Sequence, residues 1–525
     1  MKKLINLRWV KDNITYISAM IFAAMIFIWG VFFKEGFKNV INTTYGIVID
    51  KLSWVYSGLI LMFFVFCLWI VLSKFKNVRL GENDSRPEFS NLSWFAMLFS
   101  AGIGIGLVFW GVAEPTTHYL NPLNMASVSN EALEFAYTKS FLHIGISAWA
   151  CYAVLALALA YIHFRRKQPL LISSLLAPLV KNESNRFIVI KIVDILTVFA
   201  TMAGIITSLG MGTLQVASGL NYMFGIPETN GVKFTIVLMI TTLFLISACT
   251  GVTKGIKYLS NTNILLAITL FVLAIIVGPK GDMISNTLLG LKGYAIELLT
   301  TNNNIFQNGE WYGKWTIFYW GWWIAWSPSV AIFIARISKG RTIKEFILGV
   351  LFIPAGFCIA WMSVFGTMGT SASLEVGKVA IQKVETAMFV VFETYPLGGL
   401  LSIIALILIF TFFITSADSA TYVLGMITSN GNAEVSSSKK IVLGTIQSGL
   451  TLVLLFAGGL EMVQNASIIV ALPFGIIMLL AIVGFTKELY KNEVKKVNKL
   501  TNVNKVNIVL DTKPCYKVSN LEEAR

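Results

Sequence analysis

Apolar runs of about 17–25 residues, each long enough for a helix to cross a bilayer, recur along the whole chain. Twelve are legible, at roughly 16–33, 53–73, 93–112, 133–164, 187–211, 234–250, 258–279, 315–335, 343–366, 396–427, 441–458 and 466–486. The fourth and tenth exceed what a straight crossing needs and predict tilted or irregular helices. An even number of spans places both termini on one side. The first run is long enough to span and lacks a small-residue cleavage site, so it predicts a first transmembrane helix and no cleaved signal peptide.

Composition sharpens this pattern. Of 525 residues, 56% are hydrophobic and 13% charged, about half the charged fraction of soluble domains. Mean hydropathy is +0.73. These values exclude a soluble multidomain enzyme, a secreted disulfide scaffold and a nucleic-acid module, and predict an all-α polytopic membrane protein. The five cysteines (Cys67, Cys151, Cys249, Cys358 and Cys515) are widely spaced, with no metal or redox pair among them. The net charge of +14 is distributed by topology: 30 basic residues fall on the side of the termini and 9 in the opposite loops. That bias places both termini in the cytoplasm and argues against a nucleic-acid partner.

Two segments stand outside the spans. Residues 280–314 form the longest external stretch, in which 288–299 predicts a short interfacial helix. The tail 487–525 carries 9 basic and 5 acidic residues. It reads as a solvated end, or as a segment drawn to anionic membrane lipid at about 1 kcal/mol per basic residue near the surface.

Chemistry in a membrane protein concentrates where spans are interrupted, because irregular backbone is tolerated there only around a cavity. The first candidate holds Ser100, Gly102, Gly104, Gly106, Trp110, Glu114 and Pro115. Alternate glycines admit a ligand or expose carbonyls to a cation, and Gly102 with Gly106 equally fits a small-xxx-small packing pattern. The second places five Trp and one Tyr in twelve residues, with Tyr319, Trp322, Trp323 and Trp326 on one helical face ahead of Ser327 and Pro328, which predict a loosened helix. Indole faces attract a dehydrated cation, so the stripe predicts an aromatic cage for a quaternary ammonium. The third, with Thr415, Ser416, Asp418 and Ser419 deep in an apolar run, either bonds back to helix carbonyls or offers oxygens to Na⁺. Asp418 is a functional candidate by its depth. No HExxH, GxSxG or paired catalytic carboxylates occur in the spans, so no enzyme is expected.

Together these segments resemble the betaine/choline/carnitine transporter family. Residues 315–346, from the Trp315-Thr-Ile-Phe318-Tyr319-Trp320 start to Phe333-Ile-Ala-Arg336-Ile-Ser-Lys-Gly-Arg341, resemble its defining sequence almost residue for residue. Segments 102–115 and 412–418 are similar to its glycine-rich and sodium-site segments, and the resemblance covers essentially the whole chain.

The resemblance implies twelve transmembrane helices: two extra helices, then two inverted five-helix repeats of the leucine-transporter type. The corresponding divisions are a cytoplasmic N-terminus 1–15, peripheral helices 16–92, a first repeat 93–279, an external loop 280–314, a second repeat 315–486 and the tail 487–525. It also implies a homotrimer in the bacterial cytoplasmic membrane and an aromatic box of Trp149, Tyr152 and Trp323, with Trp322 and Trp326 beside it. Ile144 stands where the family carries a box tryptophan, and one lost cation–π face costs about 0.5–2 kcal/mol. Gly102, Gly104 and Gly106 would make room near the substrate carboxylate. The sodium site carries over as carbonyls of Ser100, Ile103 and Phe412 with hydroxyls of Thr415 and Ser416. Residues 258–279 contain no Lys or Arg, unlike the sodium-independent branch, and Gly106 stands where the proton-coupled branch is acidic. The expectation is Na⁺-coupled uptake of glycine betaine or a related zwitterion, with no cofactor beyond the coupling ion. A carnitine- or choline-type carrier, proton-coupled or exchanging without sodium, is the alternative.

Overall fold

A computed structural model describes residues 9–10, 12–102, 104–250, 253–300 and 309–494. Ten helices among the described residues are long and apolar enough to cross a membrane, and the protein is a multi-pass, all-helical membrane protein. The opening pair is α1 (Ile14–Phe32) and α2 (Lys34–Leu72). After them come α3 (Asn91–Gly102), α4 (Ile105–Leu120), α5 (Asn130–Ile144), α6 (Ile146–Ala160), α7 (Glu183–Phe224), α8 (Asn230–Thr250), α9 (Thr253–Val277) and α10 (Lys280–Thr300). The rest of the bundle is α11 (Phe318–Arg336), α12 (Ile343–Thr370), α13 (Gly398–Thr428) and α14 (Ser437–Leu489).

The difference from twelve runs has two causes. The third run is split at Gly104, which is extended (φ −153, ψ 179), into helices of 12 and 16 residues, each too short to span alone. The eleventh and twelfth runs join in α14, kinked at Gly458 and Gly459; Gly459 has φ 64 and ψ −140, a conformation open essentially to glycine alone.

The fourth run is irregular as expected: α5 and α6 meet at Gly145, and a π-helical turn, Tyr161–Arg165, follows. Helix α10 is longer than the expected 288–299. It packs on α5 and α12, and its Glu297 accepts a hydrogen bond from Lys139. The expected loosening at Ser327 and Pro328 is absent, because α11 is continuous through Pro328. Proline removes one backbone donor, the one that would serve the Ile324 carbonyl, and the helix carries on past it.

At the centre lies α6, buried from Ser147 to Ala160. Its alanines let α11, α12 and α2 approach closely. At one end of the bundle, residues 76–80 run beside 340–344. Leu80 N–H donates to the Arg341 carbonyl at 2.8 Å, Gly340 N–H to the Leu80 carbonyl at 2.7 Å and Ile343 N–H to the Val78 carbonyl at 2.9 Å. Gly340 (φ +79) is required there, since a Cβ would stand 2.0 Å from the Arg86 carbonyl oxygen. Arg341 lies over Trp94 at 3.9 Å, and Trp94 donates to Ser338 at 3.0 Å. This latch is the structural content of the motif ending in Arg341.

Candidate functional site

A cavity of about 1030 Å³ penetrates the bundle. Its mouth carries Glu88, Arg336 and Lys440, on the face of the 76–80 and 340–344 latch. Its inner wall brings together Ile144, Trp149, Tyr152, Trp322, Trp323 and Trp326, every expected box position. Trp149 and Tyr152, one helical turn apart on α6, meet edge to face with centroids 5.4 Å apart, and Tyr152 meets Trp323 at 6.1 Å. Trp322 and Trp323 are stacked at 4.7 Å, 16° from parallel. Trp326 N–H donates to Ser208 at 3.0 Å, which fixes its indole against α7. The Trp322 ring nitrogen is buried with no hydrogen-bond partner among the described residues. Aromatic faces of this kind attract a cation that has shed its water. The Ile144 side chain adds no ring to them.

Beyond the residues that line the cavity, α4 and the start of α11 carry a second aromatic group. There Trp110, Trp315 and Phe318 interlock, with Trp110 5.2 Å from Trp315 and 6.2 Å from Phe318. His118 closes on Trp315 at 4.5 Å.

The glycines divide by role. Gly104 lines the cavity with open space around it, whereas a Cβ on Gly106 would stand 2.3 Å from the Trp322 ring. Gly106 is therefore small so that an indole of the box can lie against α4. Gly102 and Ser100 belong to the end of α3. Ile103 lies outside the described residues.

Across the cavity are Phe412, Thr415 and Ser416 of α13. Thr415 Oγ1 lies 3.1 Å from the Phe412 carbonyl oxygen and 3.2 Å from that of Thr411, and accepts a hydrogen bond from Asn263 Nδ2 at 3.0 Å. Thr415 bonds back to its helix and also lines the cavity. Asp418 is braced by Ser247, which donates to it at 2.8 Å.

Two features were not legible in the sequence: Asn263, and the meeting of Glu114 with His118 and His143. Asn263 faces the cavity, and its Oδ1 is buried without a partner among the described residues. Glu114, His118 and His143 place donor atoms within 4.8 Å of one another, an arrangement able to hold a metal ion. Glu114 and His118 are one turn apart on α4, and only the meeting of α4 with α5 brings His143 to them.

Residues 13–494 match the betaine/carnitine/choline family of transporters. The chain is 43% identical over 497 residues to the glycine betaine transporter OpuD of Bacillus subtilis, covering 93% of this chain and 97% of OpuD. It is 38% identical to a probable glycine betaine transporter of Desulfitobacterium hafniense, over 91% of this chain and 97% of that one. An ectoine/hydroxyectoine transporter of Virgibacillus pantothenticus is also 38% identical, with 93% and 99% covered. An aromatic-walled cavity inside a polytopic helical bundle is what such a carrier requires, and the chain belongs to the betaine/carnitine/choline transporter family, a transporter and not an enzyme.

Proposed function

We propose that the protein is a Na⁺-coupled symporter for glycine betaine or a closely related methylated zwitterion, working by alternating access. The observation that carries this reading is one cavity walled by Trp149, Tyr152, Trp322, Trp323 and Trp326 and faced by the Thr415 and Ser416 hydroxyls. The indoles and phenol take the ammonium head. The extended backbone at Gly104 leaves amide N–H groups for the carboxylate. Phe412, Thr415 and Ser416, completed by the Ser100 and Ile103 carbonyls, take the sodium. With the termini cytoplasmic, the cavity mouth at Arg336 and Lys440 faces inward and the Trp110–Trp315 plug closes the outer side.

Sodium entering down its gradient supplies about 2.3 kcal/mol per charge per 100 mV. Sodium bound between α3 and α13 orders that seam and raises substrate affinity, and substrate raises sodium affinity by the same factor. The remaining parts of the reading are two inverted repeats after α1 and α2, a homotrimer packed among membrane lipid, and residence in the bacterial cytoplasmic membrane. The relatives named for glycine betaine support the substrate.

Uptake of labelled glycine betaine into proteoliposomes, with and without an inward Na⁺ gradient, tests the proposal. Saturable uptake lost without Na⁺ is expected; undiminished flux without Na⁺ overturns symport in favour of a carnitine- or choline-type exchanger. A second substrate reading has an observation of its own. Ile144 leaves the box one ring short, so a cyclic zwitterion such as ectoine has room, and one relative is named for that substrate. Competition by unlabelled ectoine in the same assay decides between them.

A further inference from the structure

A cluster of ionisable side chains sits beside the aromatic box without lining the cavity. Glu114, His118, His143 and Tyr319, from α4, α5 and α11, are fully buried. Glu114 Oε1 and His143 Nδ1 are 2.6 Å apart, and Tyr319 donates its hydroxyl proton to Glu114 Oε2. His143 Nε2 lies 3.0 Å from Thr316 Oγ1, so both of its ring nitrogens are held, and its ring stacks on Tyr319 at 4.8 Å and 17°. His118 Nε2 is 3.4 Å from Glu114 Oε1. The nearby Lys139 is engaged by Glu297.

A metal ion is the first occupant to weigh. Two donors of one tetrahedral zinc, each about 2.0–2.1 Å from it, stand about 3.3 Å apart. The 2.6 Å between Glu114 and His143 is a hydrogen-bond length. The pair is held as a hydrogen bond.

The cluster reaches the box through the backbone. Gly145 interrupts the helix two residues after His143, and the His143 carbonyl accepts the Trp323 indole N–H at 2.7 Å. Trp323 in turn stacks on Trp322. Side-chain anchors on His143 therefore fix the carbonyl, the carbonyl fixes one indole, and that indole fixes its neighbour. With Ile144 contributing no ring, recognition leans on this orientation all the more.

We propose that Glu114, His143 and Thr316 are positioning residues for substrate recognition, holding the His143 carbonyl that orients Trp323. This rests on the aromatic-box reading, and the test separates the two. Full-length protein labelled with 5-fluorotryptophan gives a ¹⁹F resonance for Trp323, assigned by its loss in Trp323→Phe. Thr316→Val is expected to shift that resonance, and Thr316→Ser to restore it, whatever the substrate. In proteoliposomes, Thr316→Val raises the glycine betaine KM about 3- to 10-fold with kcat held within about twofold. In the Trp323→Phe background the same substitution has no further effect, because the hydrogen bond it acts through is gone.

An unmoved resonance in Thr316→Val, or an additive effect in the double variant, overturns the proposal. So does stoichiometric Zn²⁺ that stabilises the native protein but not His118→Ala, since the cluster is then a metal site. Glu114→Gln provides a second lesion, expected to move the same resonance. If the native protein ignores glycine betaine, the box reading falls while the resonance still decides the positioning.

Discussion

At Gly104 an interrupted helix faces the cavity with nothing within 4 Å of where a Cβ would stand; at Gly145 a Cβ would meet the Phe141 carbonyl oxygen at 2.5 Å and the Tyr294 hydroxyl at 2.6 Å. Both are glycine breaks in runs otherwise long enough to cross the membrane. Each frees backbone groups that a low-dielectric interior cannot leave unpaired. At Gly145 the protein supplies the partners itself: the Tyr294 hydroxyl accepts from the Ile146 N–H at 2.8 Å, and Trp323 donates to the His143 carbonyl. At Gly104 the freed backbone borders the cavity instead. A break completed by side chains braces the site, whereas a break left to the cavity is completed by what the cavity binds.

The largest effect expected of this contrast is at Gly145→Ala. The new methyl has to displace a backbone carbonyl and a fixed hydroxyl, a loss of about 3 kcal/mol, read as a collapse of the thermal midpoint and of the monodisperse fraction in detergent. Tyr294→Phe removes only the partner of one amide and should cost about 1–3 kcal/mol, measured by the same melting curve. Gly104→Ala should leave stability within about 0.5 kcal/mol yet lower apparent substrate or sodium affinity severalfold in uptake assays, since its methyl projects into the cavity. If Gly104→Ala unfolds the protein while Gly145→Ala does not, the two breaks have been assigned the wrong way round. The smallest effect is at Pro328→Ala: in a helix that is already continuous, restoring one N–H changes stability by at most about 1 kcal/mol, with substrate KM unchanged.

Apolar runs made most of the spans legible, because hydrocarbon thickness dictates helix length whatever the partners are. The aromatic wall of the cavity was legible because Trp322, Trp323 and Trp326 share one face of a single helix, and because the family resemblance supplied Trp149 and Tyr152. Pro328 misled for a physical reason: it leaves only the Ile324 carbonyl without its helical donor, a defect that a packed helix tolerates. Tyr294, Asn263 and the pairing of Glu114 with His143 were illegible for another reason. Tyr294 meets Ile146 across 148 positions and Asn263 meets Thr415 across 152, and no local pattern carries such a pairing.

The latch between 76–80 and 340–344 has a consequence for synthesis. Trp94 and Ser338 are 244 residues apart, and Arg79 reaches the Gly340 carbonyl across 261. At about 5–20 residues per second, the ribosome delivers the second partner on the order of 10–50 s after the first. Through that interval the polar loop ahead of α3 waits at the membrane surface, its hydrogen-bonding groups served only by water. The nascent chain is most exposed to mispairing and proteolysis in that window, so lesions in the motif around Gly340 should lower the yield of assembled protein before they alter any transport step.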